Sequence, residues 1–182
     1  MPSTTPDPPS SALAIRFATA ADVPAILHFI RSLAHYEKLE HEVVADEAGL
    51  TTTLFGPRPG AEVLFAELDG APVGFALFFT SYSTFLGRPG LYLEDLFVEP
   101  TARRRGVGLA LMSALAQIAV DRNYGRFEWA VLDWNTPALE FYRSLGALPQ
   151  SEWTVQRVVG APLAALAQRW PGSVAPDRPP GG

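Results

Sequence analysis

The stretch "LYLEDLFVEPTARRRGVGLALM", residues 91–112, sets three patterns end to end. An apolar run carrying Glu94-Asp95 reads as a strand. Three arginines, Arg103, Arg104 and Arg105, follow in a chain whose formal net charge is −5. Gly106-Val107-Gly108 then leads into a helix that places Val107, Leu111, Leu115 and Ile118 on one face. A helix start carries unpaired N–H groups and partial positive charge, so it receives anions. Glycine lets the backbone approach a phosphate closely, and arginine adds charge-assisted hydrogen bonds. The same residues also fit a solvated basic turn, and the stretch alone leaves both readings open. Other phosphate motifs fit less well. A P-loop needs Lys-Ser/Thr where Leu109-Ala110 stand, and the dinucleotide fingerprint needs Gly or Ala at Leu111.

Working outward, the elements alternate in type. "LAIRFA" (13–18) reads as a strand, with Thr19 as helix cap and Asp22 in the first turn. Val23, Ile26, Leu27, Ile30 and Leu33 recur at helical spacing, and a second short helix covers 46–54. "EVLFAEL" (62–68), Asp69-Gly70 and "PVGFALFFT" (72–80) read as a hairpin. A loop, "SYSTFLGRPG", leads into the strand 91–98. "RFEWAVL" (126–132) reads as a strand, and a helix capped by Thr136 before Pro137 ends near Gly146. "WTVQRVV" (153–159) reads as a final strand. The order βααβββαβαβ is a mixed α/β (α+β) pattern, antiparallel in front and βαβα behind.

Composition bounds the rest. Of 182 residues, 48% are hydrophobic and 18% charged, as in an ordinary globular chain. The ends, 1–12 and 171–182, are rich in Pro, Ser and Gly and read as disordered tails around a single domain, 13–170. The acidic balance argues against nucleic acid as a partner. The absence of cysteine excludes disulfides, thiolate metal sites and cysteine nucleophiles. No signal peptide and no membrane-length apolar run are read, so the expectation is a soluble, cytoplasmic protein with no membrane partner. His28, His35 and His41 show no metal-ligand spacing with acidic partners, and no metal is expected.

Two segments together resemble the GNAT acetyltransferase family. Arg103-x-x-Gly106-x-Gly108 is similar to that family's acetyl-CoA loop, and "DWNTPALEFYRSLGA" (133–147) is similar to its Asn-to-Tyr segment. "AHYEKLEHEV" (34–43), "YSTF" (82–85) and "VLDWN" (131–135) are similar to the diamine acetyltransferases, the spermidine/spermine group and especially the thialysine group. The resemblance implies the GNAT fold, a mixed, mostly antiparallel sheet flanked by helices, with its fourth and fifth strands splayed apart. It implies acetyl-CoA as co-substrate, its pantetheine on the strand backbone at Leu96, Phe97 and Val98. The loop and helix start (Arg103, Arg104, Arg105, Gly106, Val107, Gly108, Leu109) would wrap the pyrophosphate, and Asn135 and Ala138 would meet the CoA arm. It also implies a homodimer.

Amide formation from a thioester needs a neutral amine, a stabilised carbonyl oxygen and a protonated leaving thiolate. A phenol, with an ordinary pKa of about 10, can donate that proton, and the resemblance gives the acid role to Tyr142, which also adjoins the CoA. Strict alternation puts Tyr92, Glu94, Leu96 and Val98 on one face and Leu93, Asp95 and Phe97 on the other, so Glu94 and Asp95 share a cleft only if a bulge intervenes. The resemblance selects Glu94 as base or amine-binding group and leaves Asp95 structural. Tyr36 and Glu37 match the amine-binding segment best, with Glu40 and Glu42 beside them. A solvated charge run is the alternative for that cluster. Ser83, Thr84 and Phe85 stand where the spermidine group has an acid and a tryptophan, which favours a lysine-like or thialysine-like amine over a long polyamine. The expected reaction is direct acetyl transfer to a small primary amine in a ternary complex. The alternatives are a GNAT enzyme acting on a protein or antibiotic amine, and a non-catalytic acyl-CoA-binding module.

Overall fold

A computed structural model describes residues 12–172. The tails read from the sequence lie almost wholly outside the described residues. The chain falls into two compact units, one ending at Leu132 and one beginning at Asp133.

The first unit is built on a five-stranded sheet in the order β1-β2-β3-β4-β5. Its strands are β1 (Leu13–Phe17), β2 (Glu62–Leu68), β3 (Ala71–Ser83), β4 (Arg88–Val98) and β5 (Phe127–Trp129). Neighbours pair antiparallel from β1 to β4, and β4 pairs parallel with β5. The β2–β3 turn is the expected Asp69-Gly70, both at positive φ, 54° and 81°. The β3–β4 loop is shorter than the sequence implies, because both strands extend their ladder to Ser83 and Arg88.

Helices cover both sheet faces. Helix α1 (Val23–Glu37) lies against one, and α2 (Glu47–Phe55) adds Leu54 to the same layer. The α1 layer joins Ile26 and Phe29 to Val63, Phe65, Phe75 and Phe97. Phe29 stacks on Phe75 with ring centroids 5.4 Å apart. The other face belongs to α3 (Val107–Asp121), which buries Val107, Leu111, Met112, Leu115 and Ala119. Burying a residue the size of leucine or phenylalanine contributes about 1.5–3 kcal/mol, so these two layers hold the sheet. At Gly74, β4 and α3 crowd the backbone of β3. A Cβ there would lie 2.9 Å from the Phe97 carbonyl oxygen and 3.3 Å from Val107.

The entry to α1 is fixed by charge. Asp22 accepts from the Thr19 amide and hydroxyl at 2.7 and 2.9 Å. It also takes both Arg16 Nη groups, at 2.8 and 2.9 Å, while Arg16 Nε reaches Glu67 at 2.7 Å. The Arg16 guanidinium holds the Asp22 carboxyl well below the usual carboxylate range.

The second unit contains α4 (Thr136–Ser144) and α5 (Gly160–Ala167). Asn135, not Thr136, caps α4, its side-chain oxygen accepting from the Ala138 amide at 3.3 Å. Gly146, at φ 85°, ends the helix as expected, with its amide on the Arg143 carbonyl. The final strand expected at 153–159 is not formed. Among the described residues its unit holds no strand to pair with, and a strand without a ladder partner cannot satisfy its backbone. The helix after it, α5, was not expected.

Candidate active site

The register of β3 with β4 decides which side chains meet. Leu77 pairs with Asp95, but the next residue, Phe78, pairs with Leu93. Glu94 is therefore an extra residue in β4, a bulge. Strict alternation breaks there. Phe75 and Leu77 pack in the α1 layer, and a Cβ on Gly74 points at Val107 of α3. Their partners follow them. Tyr92, Asp95 and Phe97 lie on the α1 side, and Leu91, Leu93, Leu96 and Val98 on the α3 side. The expected grouping of Tyr92 with Leu96 and Val98, and of Leu93 with Asp95 and Phe97, is corrected by one inserted residue.

This rephasing puts Asp95 on the side where α1 ends in Tyr36 and Glu37. Asp95 is half-buried, and burial, then the charges of Glu94 and Glu37, push its pKa up from 3.8 to about 6. Burial also raises the Glu37 pKa from its ordinary value. Glu94 is exposed in the bulge. Three carboxylates thus gather where α1 and β4 meet. The sequence marked Glu94 and Glu37 but gave Asp95 a structural role. The only sequence signal for it was the adjacent pair of acids, whose faces depend on the bulge. Glu40 and Glu42 stand apart on exposed backbone, beside His35 at 2.6 Å and His41 at 3.3 Å.

A backbone opening adjoins this cluster. Parallel pairing of β4 with β5 is confined to Leu91–Phe127, Tyr92–Glu128 and Leu93–Trp129. From Glu94 to Val98 the strands no longer pair, so β4 separates from β5 at the residues expected to meet pantetheine: Leu96, Phe97 and Val98. The chain then turns through Arg103, Arg104 and Arg105, all exposed, to Gly106. Arg104 and Gly106 are left-handed, at φ 61° and 81°. The first helical bond of α3 runs from the Ala110 amide to the Gly106 carbonyl. The amides of Val107, Gly108 and Leu109 therefore precede any intrahelical acceptor. A Cβ on Gly106 would meet nothing within 4 Å. The glycine is needed for its backbone angle, and the space over it stays open to a ligand. These residues fit a pyrophosphate group: free amides, positive helix-end potential and flanking guanidinium groups.

Arg103 does more than flank. Its Nε donates to the Val98 carbonyl oxygen at 3.0 Å, and its guanidinium lies 5.0 Å from the Tyr36 ring centroid and 5.8 Å from that of Phe97. Tyr36, Phe97, Val98 and Arg103 are thus brought together. In the second unit, Asn135 and Ala138 meet in the α4 cap, and Tyr142 sits half-buried two turns on, packed on Phe141 at 5.4 Å between centroids. No group of His, Asp and Glu suited to hold a metal occurs among the described residues. No helix among them is long and apolar enough to cross a membrane.

The acetyltransferase (GNAT) family pattern matches residues 27–147, from α1 through the end of α4. The chain belongs to the GNAT family. Thialysine N-epsilon-acetyltransferase of Mus musculus is 39% identical over 166 residues, which cover 85% of this chain and 97% of that protein. L-ornithine N5-acetyltransferase NATA1 of Arabidopsis thaliana is 34% identical over 197 residues, 84% of this chain and 86% of that one. Among solved structures, an integron cassette protein from the mobile metagenome of V. cholerae superposes with a TM-score of 0.74 at 28% identity, covering 87% of this chain and all but 1% of its own. The protein is an acetyl-CoA-dependent N-acetyltransferase. The GNAT fold accounts for the mixed sheet and for the loop that leads into α3.

Proposed function

We propose that this GNAT enzyme acetylates the terminal amine of a small molecule, a diamine or a lysine-like, ornithine-like or thialysine-like amino acid, by direct transfer in a ternary complex. The carboxylate cluster of Glu37, Glu94 and Asp95 carries this reading. Three acids gathered beside the separated edge of β4 suit a compact cationic amine. The named relatives include enzymes for thialysine and ornithine, which points the same way.

In this reading Glu37 and Glu94 attract the ammonium, and Tyr36 walls the site. Binding a cation lowers the pKa of Asp95, so the cluster arrives deprotonated. The neutral fraction of the amine attacks the thioester carbonyl. As the N–C bond forms, the nitrogen becomes a strong acid, and its proton passes to Asp95. The C–S bond breaks, and Tyr142, to which the family motif carries the acid role, gives its proton to the leaving sulfur. Backbone amides at Arg104–Leu109 hold the pyrophosphate, Leu96–Val98 offer backbone partners to pantetheine, and Asn135 and Ala138 meet the CoA arm. The resemblance extends to a homodimer, which sedimentation of the full chain would test.

The deciding experiment is a thiol-release assay with acetyl-CoA against lysine, thialysine, ornithine, diaminopropane, putrescine and spermidine. Turnover should be highest with a short amine carrying its own carboxylate. Preference for spermidine, or turnover confined to a peptide or aminoglycoside amine, would overturn the substrate class.

A further inference from the structure

Arg103 stands first in the acyl-CoA loop, yet its contacts lead toward the amine side. Its face lies over Tyr36, at the C-terminal end of α1 next to Glu37, and its Nε is bonded to the last carbonyl of β4. One guanidinium therefore touches three segments: the end of α1, the end of β4 and the loop that opens α3. A guanidinium offers two separate kinds of contact. Its face attracts an aromatic ring, and its in-plane N–H groups donate to oxygen. Anion binding at the edge and stacking on Tyr36 can hold together.

We propose that Arg103 is a positioning residue that couples the two substrate sites, so that acetyl-CoA and amine each strengthen the binding of the other through the Arg103–Tyr36 stack. This rests on the acetyltransferase reading of both sites. When the pyrophosphate fixes the loop, the guanidinium is fixed over Tyr36. The last turn of α1 is ordered with it, and Glu37 is held against Asp95. The amine then binds a site whose ordering cost has already been met. Linkage makes the effect reciprocal. Tyr36 also becomes a determinant of CoA affinity, though it lies outside the loop by more than sixty residues of chain.

The test is a double-mutant cycle on the full chain, using Tyr36→Leu, Arg103→Lys and the pair. CoA affinity is read by calorimetry without amine, and KM for each substrate by steady-state assay. Tyr36→Phe keeps the ring and serves as rescue. Thermal melts check that each variant folds. Tyr36→Leu should weaken CoA about 2- to 5-fold, the size of an exposed cation–π contact. Tyr36→Phe should return CoA affinity to within about 1.5-fold of the parent. The double variant should be little weaker than Arg103→Lys alone, because both remove one interaction. CoA affinity unchanged in Tyr36→Leu, with only the amine KM raised, would overturn the coupling. So would strictly multiplicative effects in the pair. If the parent binds CoA but turns over no amine, the substrate reading fails while the CoA arm of the cycle still reports on the stack. If the parent binds no CoA, both readings fall.

Discussion

Replacing Asp95 with asparagine should make the ligand-free protein more stable at neutral pH while slowing the reaction. The reasoning starts from the shift of the Asp95 pKa from 3.8 to about 6 by burial and by the charges of Glu94 and Glu37. A folded-state pKa above the unfolded value means that the folded chain holds a proton longer. Below about pH 4 both states are protonated, and Asp95 costs nothing. Between about 4 and 6 the unfolded chain releases its proton first, so stability falls as pH rises. Above about 6 the penalty is complete. That pKa change corresponds to at most about 3 kcal/mol. Water still reaches the half-buried carboxylate, so about 1–2 kcal/mol is expected, or about 3–6 °C in Tm. The assay is urea or thermal unfolding of both proteins from pH 4 to 8. The advantage of Asp95→Asn should be absent near pH 4, grow to pH 6 and then hold level. An asparagine variant less stable at pH 7.5, or an advantage that ignores pH, would refute the account of this cluster. In the enzyme assay, the parent's kcat/KM should decline as pH falls through about 6, and the variant should lose that limb along with most of its rate.

Gly106→Ala forces a side chain into a backbone at φ 81°, so about 1–2 kcal/mol of strain should raise the acetyl-CoA KM about 5- to 30-fold, and Gly106→Val should abolish CoA binding by calorimetry. Tyr142→Phe should lower kcat at least about 100-fold, the scale of general acid–base catalysis, with the acetyl-CoA KM held within about 3-fold in the thiol-release assay. Gly74→Ala puts a methyl 2.9 Å from the Phe97 carbonyl oxygen and should destabilise the fold by about 1–3 kcal/mol in urea titration. Asp22→Ala removes the acceptor shared by the Thr19 amide and both Arg16 Nη groups and leaves Arg16 with Glu67 and the Phe17 carbonyl, and should cost about 1–2 kcal/mol at pH 7. That difference should shrink in acid, because the native pKa of Asp22 is depressed and its stabilisation is lost as the carboxylate is protonated.

Local chemistry was readable where it is self-contained. Asp69-Gly70 dictates its own turn, the apolar spacing after Gly106 dictates α3, and Gly146 ends α4 by a backbone angle that favours glycine. The bulge at Glu94 was not readable, because it exists only in the pairing of β4 with β3. Asp95 was undervalued for that reason. Asn135 and Thr136 are both good caps, and only the hydrogen bond to the Ala138 amide separates them. Residues 153–159 alternate as a strand should, but alternation describes a face and supplies no partner. The Arg103–Tyr36 stack joins residues distant in sequence, and nothing in either local pattern foretells it.

The bulge in β4 also changes what kind of alteration the strand can bear. Ahead of Glu94 the odd-numbered residues belong to the α3 layer, and beyond it the even-numbered ones do. The strand therefore carries a frame change in its side chains, made by one residue. Substituting that residue leaves the frame intact. Deleting it would make Leu93 and Asp95 chain neighbours, still on opposite faces, so the ladder would close without the bulge and Asp95, Leu96, Phe97 and Val98 would keep their layers. Only the exposed Glu94 carboxylate and the local bend of the strand would go. At this point in the chain the fold carries one residue to spare, and the cluster of acids does not. A one-residue deletion library across β4 should find position 94 among the most tolerant for folding, with amine turnover lowered in the variant that folds.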